Sequence, residues 1–171
     1  MITKILQYKI FNDSMGELFK CIEKFEKVHI ISGNPEVLLS GLENIALLEN
    51  FTSKNSIIIP DGIGTVICSK IVGNPVKEKL AGIEVMDNIV KRCEKDNKGI
   101  YLLGSTKETV DMCNINLRTK YRKLNIFGSH DGYFELNNCE AIIKEIQLLK
   151  PKVIFVAMGC PRQELFIAKY M

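Results

Sequence analysis

The pattern of hydrophobic and polar positions predicts short strands that alternate with helices along the whole chain. Unbroken apolar runs, such as 57–59 and 153–158, are typical of strands buried on both faces of a sheet. Between such runs apolar residues recur at helical spacing, most clearly in the segment 36–51. The predicted strands are 4–11, 28–33, 56–60, 99–104, 124–129 and 152–159. This alternation predicts an α/β fold, a Rossmann-like parallel sheet with helices on both faces that forms one domain over residues 1–171.

Polar residues at the starts of the predicted helices match the preferences of helix N-caps. Asp13 or Ser14 is expected to cap the first helix, and Asn34 the second. Ser105 and Glu108 have the spacing of a capping box. Each of these positions also follows a predicted strand or borders a turn, so a role in ligand binding stays open beside the structural role.

Composition is that of an ordinary soluble globular protein, with 46% hydrophobic and 25% charged residues and a mean hydropathy of +0.06. The net charge of +3 is far below the basic excess of nucleic-acid-binding domains, so no nucleic-acid partner is expected. The six cysteines are scattered singly, which argues against a structural zinc site and favours reduced thiols in a cytoplasmic protein. No apolar run approaches the ~20 residues that span a bilayer, so we expect any membrane contact to be peripheral.

Small and polar residues follow nearly every predicted strand. Ligands of open parallel sheets collect beyond the carboxyl ends of the strands, where helix N-termini point. The residues at these ends are Ser32, Gly33 and Asn34; Asp61, Gly62 and Gly64; Gly104, Ser105 and Thr106; Ser129, His130, Asp131, Gly132 and Tyr133; and Gly159, Pro161, Arg162, Gln163 and Glu164. Small residues let backbone N–H groups approach an anionic ligand closely. These ends therefore predict an anion-binding site.

Asp61 is the candidate that carries the most weight. It follows the apolar run 57–59 and Pro60 directly, at the mouth of a buried strand. A carboxylate in such a place is costly unless it is used or paired. The dipeptide Asp61-Gly62 is also a common turn signal, so a purely structural role is the alternative.

Other polar residues have a simpler structural explanation. His29 lies inside a predicted strand, where a satisfied or edge position is expected rather than a ligand role. His130 sits in a turn beside an aspartate, and both interpretations stay open for it. Lys70, Lys77 and Lys79 are expected to form a solvated face.

Several familiar motifs are absent. There is no G-x-G-x-x-G after the first strand, no P-loop, no H-E-x-x-H and no G-x-S-x-G. These absences argue against an ordinary dinucleotide-binding enzyme, a P-loop NTPase, a zincin and an α/β-hydrolase. D-x-D is absent too, so an enzyme acting on a nucleotide-sugar would be expected to work without a metal ion or any other cofactor.

Five stretches together resemble one family. They are "SGNPE" (32–36), "PDGIGTVICSKIVGNPVKEKLAGIEV" (60–85), "YLLGSTKETV" (101–110), "LNIFGSHDGYF" (124–134) and "VAMGCPRQE" (156–164). In this order, over nearly the whole chain, they resemble bacterial glycosyltransferases of the WecG/TagA/CpsF family (glycosyltransferase family 26). The co-occurrence of D-G-x-G with G-x-P-[KR]-Q-E is more specific than any single match.

The resemblance implies transfer of N-acetylmannosamine from its UDP conjugate. The implied acceptor is N-acetylglucosamine linked through diphosphate to undecaprenol, and the implied product belongs to the linkage unit of wall teichoic acid or to a related surface polysaccharide. It further implies a homo-oligomer in the cytoplasm, peripheral to the inner face of the cell membrane. Alternatives are another donor, such as UDP-N-acetylmannosaminuronic acid or UDP-glucose, a nucleotide-binding module without catalysis, and a methyltransferase on a similar sheet.

The resemblance also assigns roles to residues. Asp61 matches the general base of an inverting displacement, and Ser32, where the family usually has threonine, orients a substrate beside it. Lys79 stands where the family usually has arginine, which keeps the charge and loses the forked geometry that suits phosphate. The implied substrate-binding residues are Asn34, Lys79, Gly104, Ser105, Asp131, Gly132, Tyr133, Gly159, Arg162, Gln163 and Glu164, with Gln163 expected to contact the donor.

Family members continue past the Q-E helix into a C-terminal segment with further arginines, which is thought to complete the active site and to bind the membrane. The present sequence ends at residue 171. We therefore expect a truncated or naturally shortened member that is weakly active or inactive, retains UDP binding, and exposes apolar surface that promotes self-association.

Overall fold

The structure, a computed structural model, describes residues 1–170, which form two compact units. The first unit comprises residues 1–85 with 167–169, and the second comprises 86–166 with Tyr170. Strands and helices alternate in both, so the predicted α/β class is confirmed. Among residues 1–170, no helix has both the length and the apolar character needed to cross a membrane.

The first unit holds a four-stranded sheet. Its elements are β1 (Ile2–Ile5), β2 (Tyr8–Phe11), α1 (Met15–Ile22), β3 (His29–Ser32), α2 (Pro35–Glu43), α3 (Ile45–Thr52), β4 (Ser56–Ile59) and α4 (Gly62–Ile71). The strand order is β1-β2-β4-β3, in which β4 pairs in parallel with both neighbours and β1 pairs antiparallel with β2. Its most deeply buried large side chains are Tyr8, Ile10, Leu18, Leu47, Ile58, Ile59 and Leu80.

The prediction of one strand over 4–11 is wrong, because this segment belongs to a β-hairpin. Leu6 has a φ of +53°, a left-handed conformation that reverses the chain between β1 and β2. Neither Leu6 nor Gln7 is a typical turn residue, so no residue type at this position indicates the reversal. The antiparallel hairpin makes this sheet mixed rather than purely parallel.

The prediction of one helix over 36–51 is also wrong. Asn44 has an extended backbone and ends α2, and its Oδ1 accepts hydrogen bonds from the backbone N–H groups of Ala46 and Leu47 at the start of α3. The caps predicted at Ser14 and Asn34 are confirmed, because their side chains accept from Glu17 N (3.4 Å) and Val37 N (3.0 Å).

His29 opens β3, an edge strand of this sheet, and its Nδ1 lies 2.9 Å from Asn50 Oδ1. The expectation of a satisfied or edge histidine is therefore confirmed. Burial lowers the pKa of His29 below its ordinary value, although the hydrogen bond to Asn50 opposes this shift.

The second unit holds a three-stranded parallel sheet in the order β6-β5-β7. The elements that follow α4 are α5 (Gly82–Lys95), β5 (Gly99–Gly104), α6 (Lys107–Lys120), β6 (Asn125–His130), α7 (Glu140–Leu149), β7 (Val153–Ala157) and α8 (Arg162–Tyr170). Central strand β5 is buried along its whole length. The main core cluster is Val90, Cys93, Ile100, Leu102, Val110, Tyr121, Leu124 and Ile126.

Two further predictions fail in this unit. The apolar run 153–158 is not buried on both faces: β7 is an edge strand whose residues are half-buried or exposed. The capping box of Ser105 and Glu108 does not form, because Thr106 is the N-cap of α6 and accepts from Thr109 N at 3.2 Å. Ser105 instead has a φ of +57°, outside the extended conformation that an N-cap adopts.

Candidate functional site

In the first unit, the carboxyl ends of β3 and β4 lie side by side. The parallel register pairs Ser32 with Ile59, the last residues of the two strands. The Ile59 carbonyl then accepts hydrogen bonds from both Gly33 N and Asp61 N, each at 2.9 Å. One carbonyl thus holds both chain segments as they leave the sheet, and Ser32 and Asp61 become neighbours although 29 residues separate them.

The carboxylate of Asp61 is held by two donors. Ser32 Oγ donates to Oδ2 at 2.5 Å, and the backbone N–H of Gly82 donates to the same oxygen at 3.3 Å. Within residues 1–170 no donor reaches Oδ1. Asp61 is the N-cap residue of α4, yet its side chain makes no capping hydrogen bond. The carboxylate therefore does not accept from the backbone N–H groups at the start of α4, as an N-cap side chain usually does.

The backbone around Asp61 is tightly supported. Gly62 takes up the left-handed conformation (φ +79°) that starts α4, which explains the Asp-Gly dipeptide. One turn into α4, the buried hydroxyl of Thr65 donates to the carbonyl of Gly33 and ties the helix to the end of β3. Leu80 N donates to the Pro60 carbonyl at 3.0 Å, which brings the segment before α5 to the same strand end.

Asn34 and Lys79 reach this strand end in different ways. Oδ1 of Asn34 accepts the hydrogen bond that caps α2, and within residues 1–170 no acceptor lies within hydrogen-bond distance of its Nδ2. Lys79 is exposed and directly precedes the buried Leu80. The structure therefore places four of the predicted residues, Ser32, Asn34, Asp61 and Lys79, on segments that meet at the ends of β3 and β4.

In the second unit, the ends of the strands border a cleft of about 580 Å³. The residues that line it are Ser105, Gly132, Tyr133, Phe134, Glu135, Ala157, Met158, Gly159 and Arg162. Five of these are predicted site residues, and they come from three separate strand ends. Gly104, Asp131 and Gln163 adjoin this lining in sequence, and Glu164 follows Gln163.

The turn after β5 is shaped by close backbone approach. Gly104 has a φ of +140°, and a Cβ atom at this position would overlap the carbonyl of Ala157 on β7. Ser105 N donates to that same carbonyl at 2.9 Å, and Gly132 N donates to the Ser105 carbonyl at 2.8 Å. These bonds join the ends of all three strands into one rim.

Arg162 stabilises the loop 132–134, which lines part of the cleft. Its Nε and Nη2 donate to the Gly132 carbonyl at 3.1 and 3.0 Å, and Nη2 also donates to the Phe134 carbonyl. The guanidinium lies 5.3 Å from the centre of the Phe134 ring. Arg162 therefore fixes the loop 132–134 and also supplies positive charge at the cleft.

Asp131 and Tyr133 form a local turn at the cleft. Asp131 Oδ1 accepts from Tyr133 N at 2.8 Å, and the Tyr133 side chain is 79% exposed. His130 Nδ1 lies 2.9 Å from the Asp131 carbonyl and 3.7 Å from its Oδ2.

Gln163 and Glu164 act as a pair. Glu164 is buried, at 3% exposure, and its Oε1 accepts from Gln163 Nε2 at 2.8 Å. This bond orients the Gln163 amide, which remains half-buried at the start of α8. Glu164 thus lies behind the surface and positions its neighbour.

Sequence reasoning missed several residues that shape these two places. Gly82 donates to Asp61 from 21 residues away, and Phe134 and Met158 line the cleft. A donating backbone N–H leaves no trace in residue identity, so Gly82 had no sequence signal. Thr65 was missed as well, because its burial on α4 is known only from the structure. Among residues 1–170, no group of three or more His, Cys, Asp or Glu side chains is arranged to hold a metal ion.

Comparison with known proteins gives a consistent result. A family model described as the glycosyl transferase WecG/TagA/CpsF family matches residues 3–171. Three relatives from Staphylococcus aureus, of strains NCTC 8325 / PS 47, COL and MRSA252, are each 32% identical over 169 residues. Each is named N-acetylglucosaminyldiphosphoundecaprenol N-acetyl-beta-D-mannosaminyltransferase. The matched region covers 95% of this chain and 65% of each relative, so the chain spans about two thirds of their length.

Proposed function

Because the chain belongs to the WecG/TagA/CpsF family of glycosyltransferases, we propose that it transfers N-acetylmannosamine from UDP-N-acetylmannosamine to N-acetylglucosamine linked through diphosphate to undecaprenol. The names of the relatives support the transferred sugar and the acceptor. The product would be the disaccharide from which a wall teichoic acid linkage unit, or a related surface polysaccharide, is extended.

The observation that carries the proposal is the state of the Asp61 carboxylate. Oδ2 is fixed by Ser32 and Gly82, whereas Oδ1 accepts no hydrogen bond within residues 1–170. A carboxylate that is oriented through one oxygen and open at the other is suited to accept a proton. Asp61 makes no capping hydrogen bond, so the start of α4 does not use its carboxylate.

In the proposed step, Asp61 Oδ1 takes the proton from the attacking hydroxyl of the acceptor sugar. The hydroxyl oxygen forms a bond to the anomeric carbon of the donor as the bond from that carbon to the UDP oxygen breaks. UDP leaves with the bonding electron pair, and the configuration at the anomeric carbon inverts. Ser32 acts as a positioning residue, since its hydroxyl donates to Asp61 and keeps Oδ1 in place.

The cleft of the second unit is proposed to bind the nucleotide of the donor. Its rim offers the small residues Gly132 and Gly159, the Ser105 hydroxyl and the cation Arg162, all suited to phosphate oxygens. The α6 helix begins directly after this rim, so its N-terminal dipole favours negative charge there. Exposed Tyr133 provides a ring on which a uracil base can stack, and the oriented amide of Gln163 is a candidate donor contact.

Calorimetric titration with UDP, NAD and S-adenosylmethionine, with and without magnesium, tests this assignment. We expect selective binding of UDP without a metal requirement, and loss of most of that affinity in Gly132→Val, which fills the rim. Gly16→Val, at an exposed glycine with an ordinary φ that does not line the cleft, serves as the control. Mass spectrometry of a reaction with UDP-N-acetylmannosamine and a short-chain lipid acceptor should show the disaccharide. Binding of S-adenosylmethionine instead of UDP would contradict the proposal, and UDP binding without any product would favour a non-catalytic module.

A further inference from the structure

Helix α8 presents one face to the loop that joins β6 to α7. Arg162, Phe166 and Tyr170 follow one another at intervals of four residues, so their side chains share one face of the helix. The loop comprises residues 131–139, and it supplies four residues of the cleft lining: Gly132, Tyr133, Phe134 and Glu135. Contacts between this face of α8 and this loop therefore affect the shape of the cleft.

Two side chains of α8 bind the carbonyls of alternate residues in the loop. At the start of the helix, Arg162 donates to the carbonyls of Gly132 and Phe134. At the end of the helix, the Tyr170 hydroxyl donates to the Leu136 carbonyl at 2.6 Å. The segment 132–136 is thus attached to α8 at both of its ends.

Aromatic packing fills the space between these two attachments. The Phe166 ring is fully buried, and its centroid lies 5.9 Å from that of Phe134 and 5.3 Å from that of Tyr170. The Phe134 ring also meets the His130 ring edge to face, with the centroids 5.7 Å apart. Aromatic pairs at these separations add to the stabilisation that buried area provides. A row of four rings therefore connects the last residue of β6 with the last turn of α8.

Tyr170 acts on the cleft only through the loop. Arg162 lines the cleft and brings a charge to it, whereas Tyr170 and Leu136 lie outside the lining. Among residues 1–170, the Leu136 carbonyl has one other donor, Cys139 Sγ at 3.5 Å, and a thiol is a weak donor. Loss of the Tyr170 hydroxyl would therefore loosen the loop at Leu136 and leave the chemistry of the lining unchanged.

We propose that Tyr170 is a positioning residue of this cleft, which holds loop 132–136 at its end while Arg162 holds it at its start. Tyr133 and Glu135, the two exposed residues of this loop, are then presented to the cleft in one arrangement before a ligand binds. A loop that is already ordered loses less conformational entropy when the ligand arrives. This role requires no contact between Tyr170 and the ligand.

The consequence for the nucleotide rests on the proposed function. Tyr133 is the residue on which a uracil base would stack, and it belongs to the loop that Tyr170 holds. When the loop is loosened at Leu136, Tyr133 samples more conformations, and UDP binds more weakly. The proton transfer proposed for Asp61 uses none of these residues, so the rate at saturating donor should stay the same.

Hydrogen–deuterium exchange of the ligand-free protein tests the positioning itself. In Tyr170→Phe the ring stays in place and only the hydroxyl is removed. The backbone N–H groups of Tyr133 and Asn138, on either side of Leu136, donate to the Asp131 side chain and the Glu135 carbonyl. We expect both to exchange about fivefold faster in Tyr170→Phe than in wild type, because the loop opens more often.

Tyr8→Phe is the matched control. Tyr8 belongs to the core of the first unit, and its hydroxyl also donates to a leucine carbonyl, that of Leu38, at 2.7 Å. Loss of this buried bond should lower the melting temperature at least as much as Tyr170→Phe does. It should leave exchange in loop 132–136 unchanged. The comparison separates positioning of the loop from a general loss of stability.

UDP titration and steady-state kinetics test the consequence. In Tyr170→Phe the Kd for UDP and the KM for the donor should both rise roughly fivefold with kcat unchanged, whereas Tyr8→Phe should alter neither. Arg162→Lys keeps the charge and loses the forked donor, so it should also raise the Kd. Because both residues act through one loop, the double variant should weaken UDP binding by less than the product of the two single effects.

Unchanged exchange of the loop in Tyr170→Phe would overturn the proposal. Faster exchange together with an unchanged Kd for UDP would overturn it too, since the loop would then not control the affinity. Equal changes in Tyr8→Phe would reduce the effect to stability and would contradict a positioning role. Faster exchange in a chain that binds no UDP would remove the proposed function and leave the positioning of loop 132–136 by Tyr170 standing.

Discussion

The hydroxyl of Ser32 donates a hydrogen bond of 2.5 Å to Oδ2 of Asp61 across the ends of two parallel strands. The parallel register of β3 and β4 brings these two residues together. The backbone N–H of Gly82 donates a second hydrogen bond to Oδ2 at 3.3 Å. The bond leaves Oδ1 as the open oxygen of the carboxylate. This relationship is the basis of the proposed chemistry, because it gives one oxygen a positioning role and the other a proton-accepting role.

Removal of the Ser32 hydroxyl should weaken catalysis without affecting the nucleotide. In Ser32→Ala the carboxylate keeps only the longer bond from Gly82, and its orientation is less well defined. A hydrogen bond to a charged group contributes roughly 1.5–3 kcal/mol, so we expect kcat to fall about tenfold or more. Ser32→Thr restores a hydroxyl at the same place and should recover most of the rate. A kcat unchanged in Ser32→Ala would show that the bond has no catalytic role.

Gly104 should be intolerant of any side chain. In Gly104→Ala the new methyl group would overlap the Ala157 carbonyl and the backbone would keep a φ of +140°. Overpacking and a positive φ together should lower the free energy of unfolding by about 3 kcal/mol. Gly73→Ala is the matched control, because Gly73 also has a positive φ (+73°) but has nothing within 4 Å of its Cβ position.

Urea denaturation of the two alanine variants separates strain from overlap. Gly73→Ala should cost about 1 kcal/mol from the positive φ alone. An equal cost in both variants would mean that β5 and β7 move apart easily at this rim, in conflict with the close approach of Gly104 to Ala157.

Stability should depend on pH through His29. Burial lowers its pKa in the folded state below the ordinary value of 6.5. As the pH falls through 6.5, the unfolded chain takes up a proton before the folded protein does, so the free energy of unfolding decreases with falling pH. His29→Gln should remove this part of the slope in urea denaturation between about pH 7.5 and pH 5. A slope identical to that of the wild type would show that His29 has no part in it.

The sequence predicted the features that depend on the apolar pattern, and it failed where a local backbone conformation or the order of the strands decides the structure. Apolar periodicity reports burial, and it correctly predicted the α/β class and the residues at the strand ends. The reversal at Leu6 and the break at Asn44 are local conformations without Gly or Pro markers, and a continuous apolar pattern passed over both. The run 153–158 failed differently: its apolarity was correct, but an edge position depends on strand order, which no single strand encodes.

In the candidate site, too, the sequence predicted individual residues, whereas their arrangement depends on the fold. Ser32 and Asp61 were identified separately because each follows an apolar strand, and only the β3–β4 register brings them within 2.5 Å. The assignment of Glu164 to substrate binding came from its place in a motif, whereas the structure buries it behind Gln163. The outward position of the α4 isoleucines was not predicted, since periodicity reports that two faces differ and leaves open which one faces the protein.

The most direct test of the central claim is the rate of sugar transfer by Asp61→Asn relative to wild type, measured with UDP affinity in the same samples. Asparagine keeps the size of the side chain and cannot accept the proton as a carboxylate does. We predict a loss of about 10²–10⁴-fold in kcat with UDP affinity unchanged. Asp111→Asn, which removes an exposed carboxylate paired with Lys107, should keep the wild-type rate. Transfer at the wild-type rate by Asp61→Asn would contradict the assignment of Asp61 as the general base.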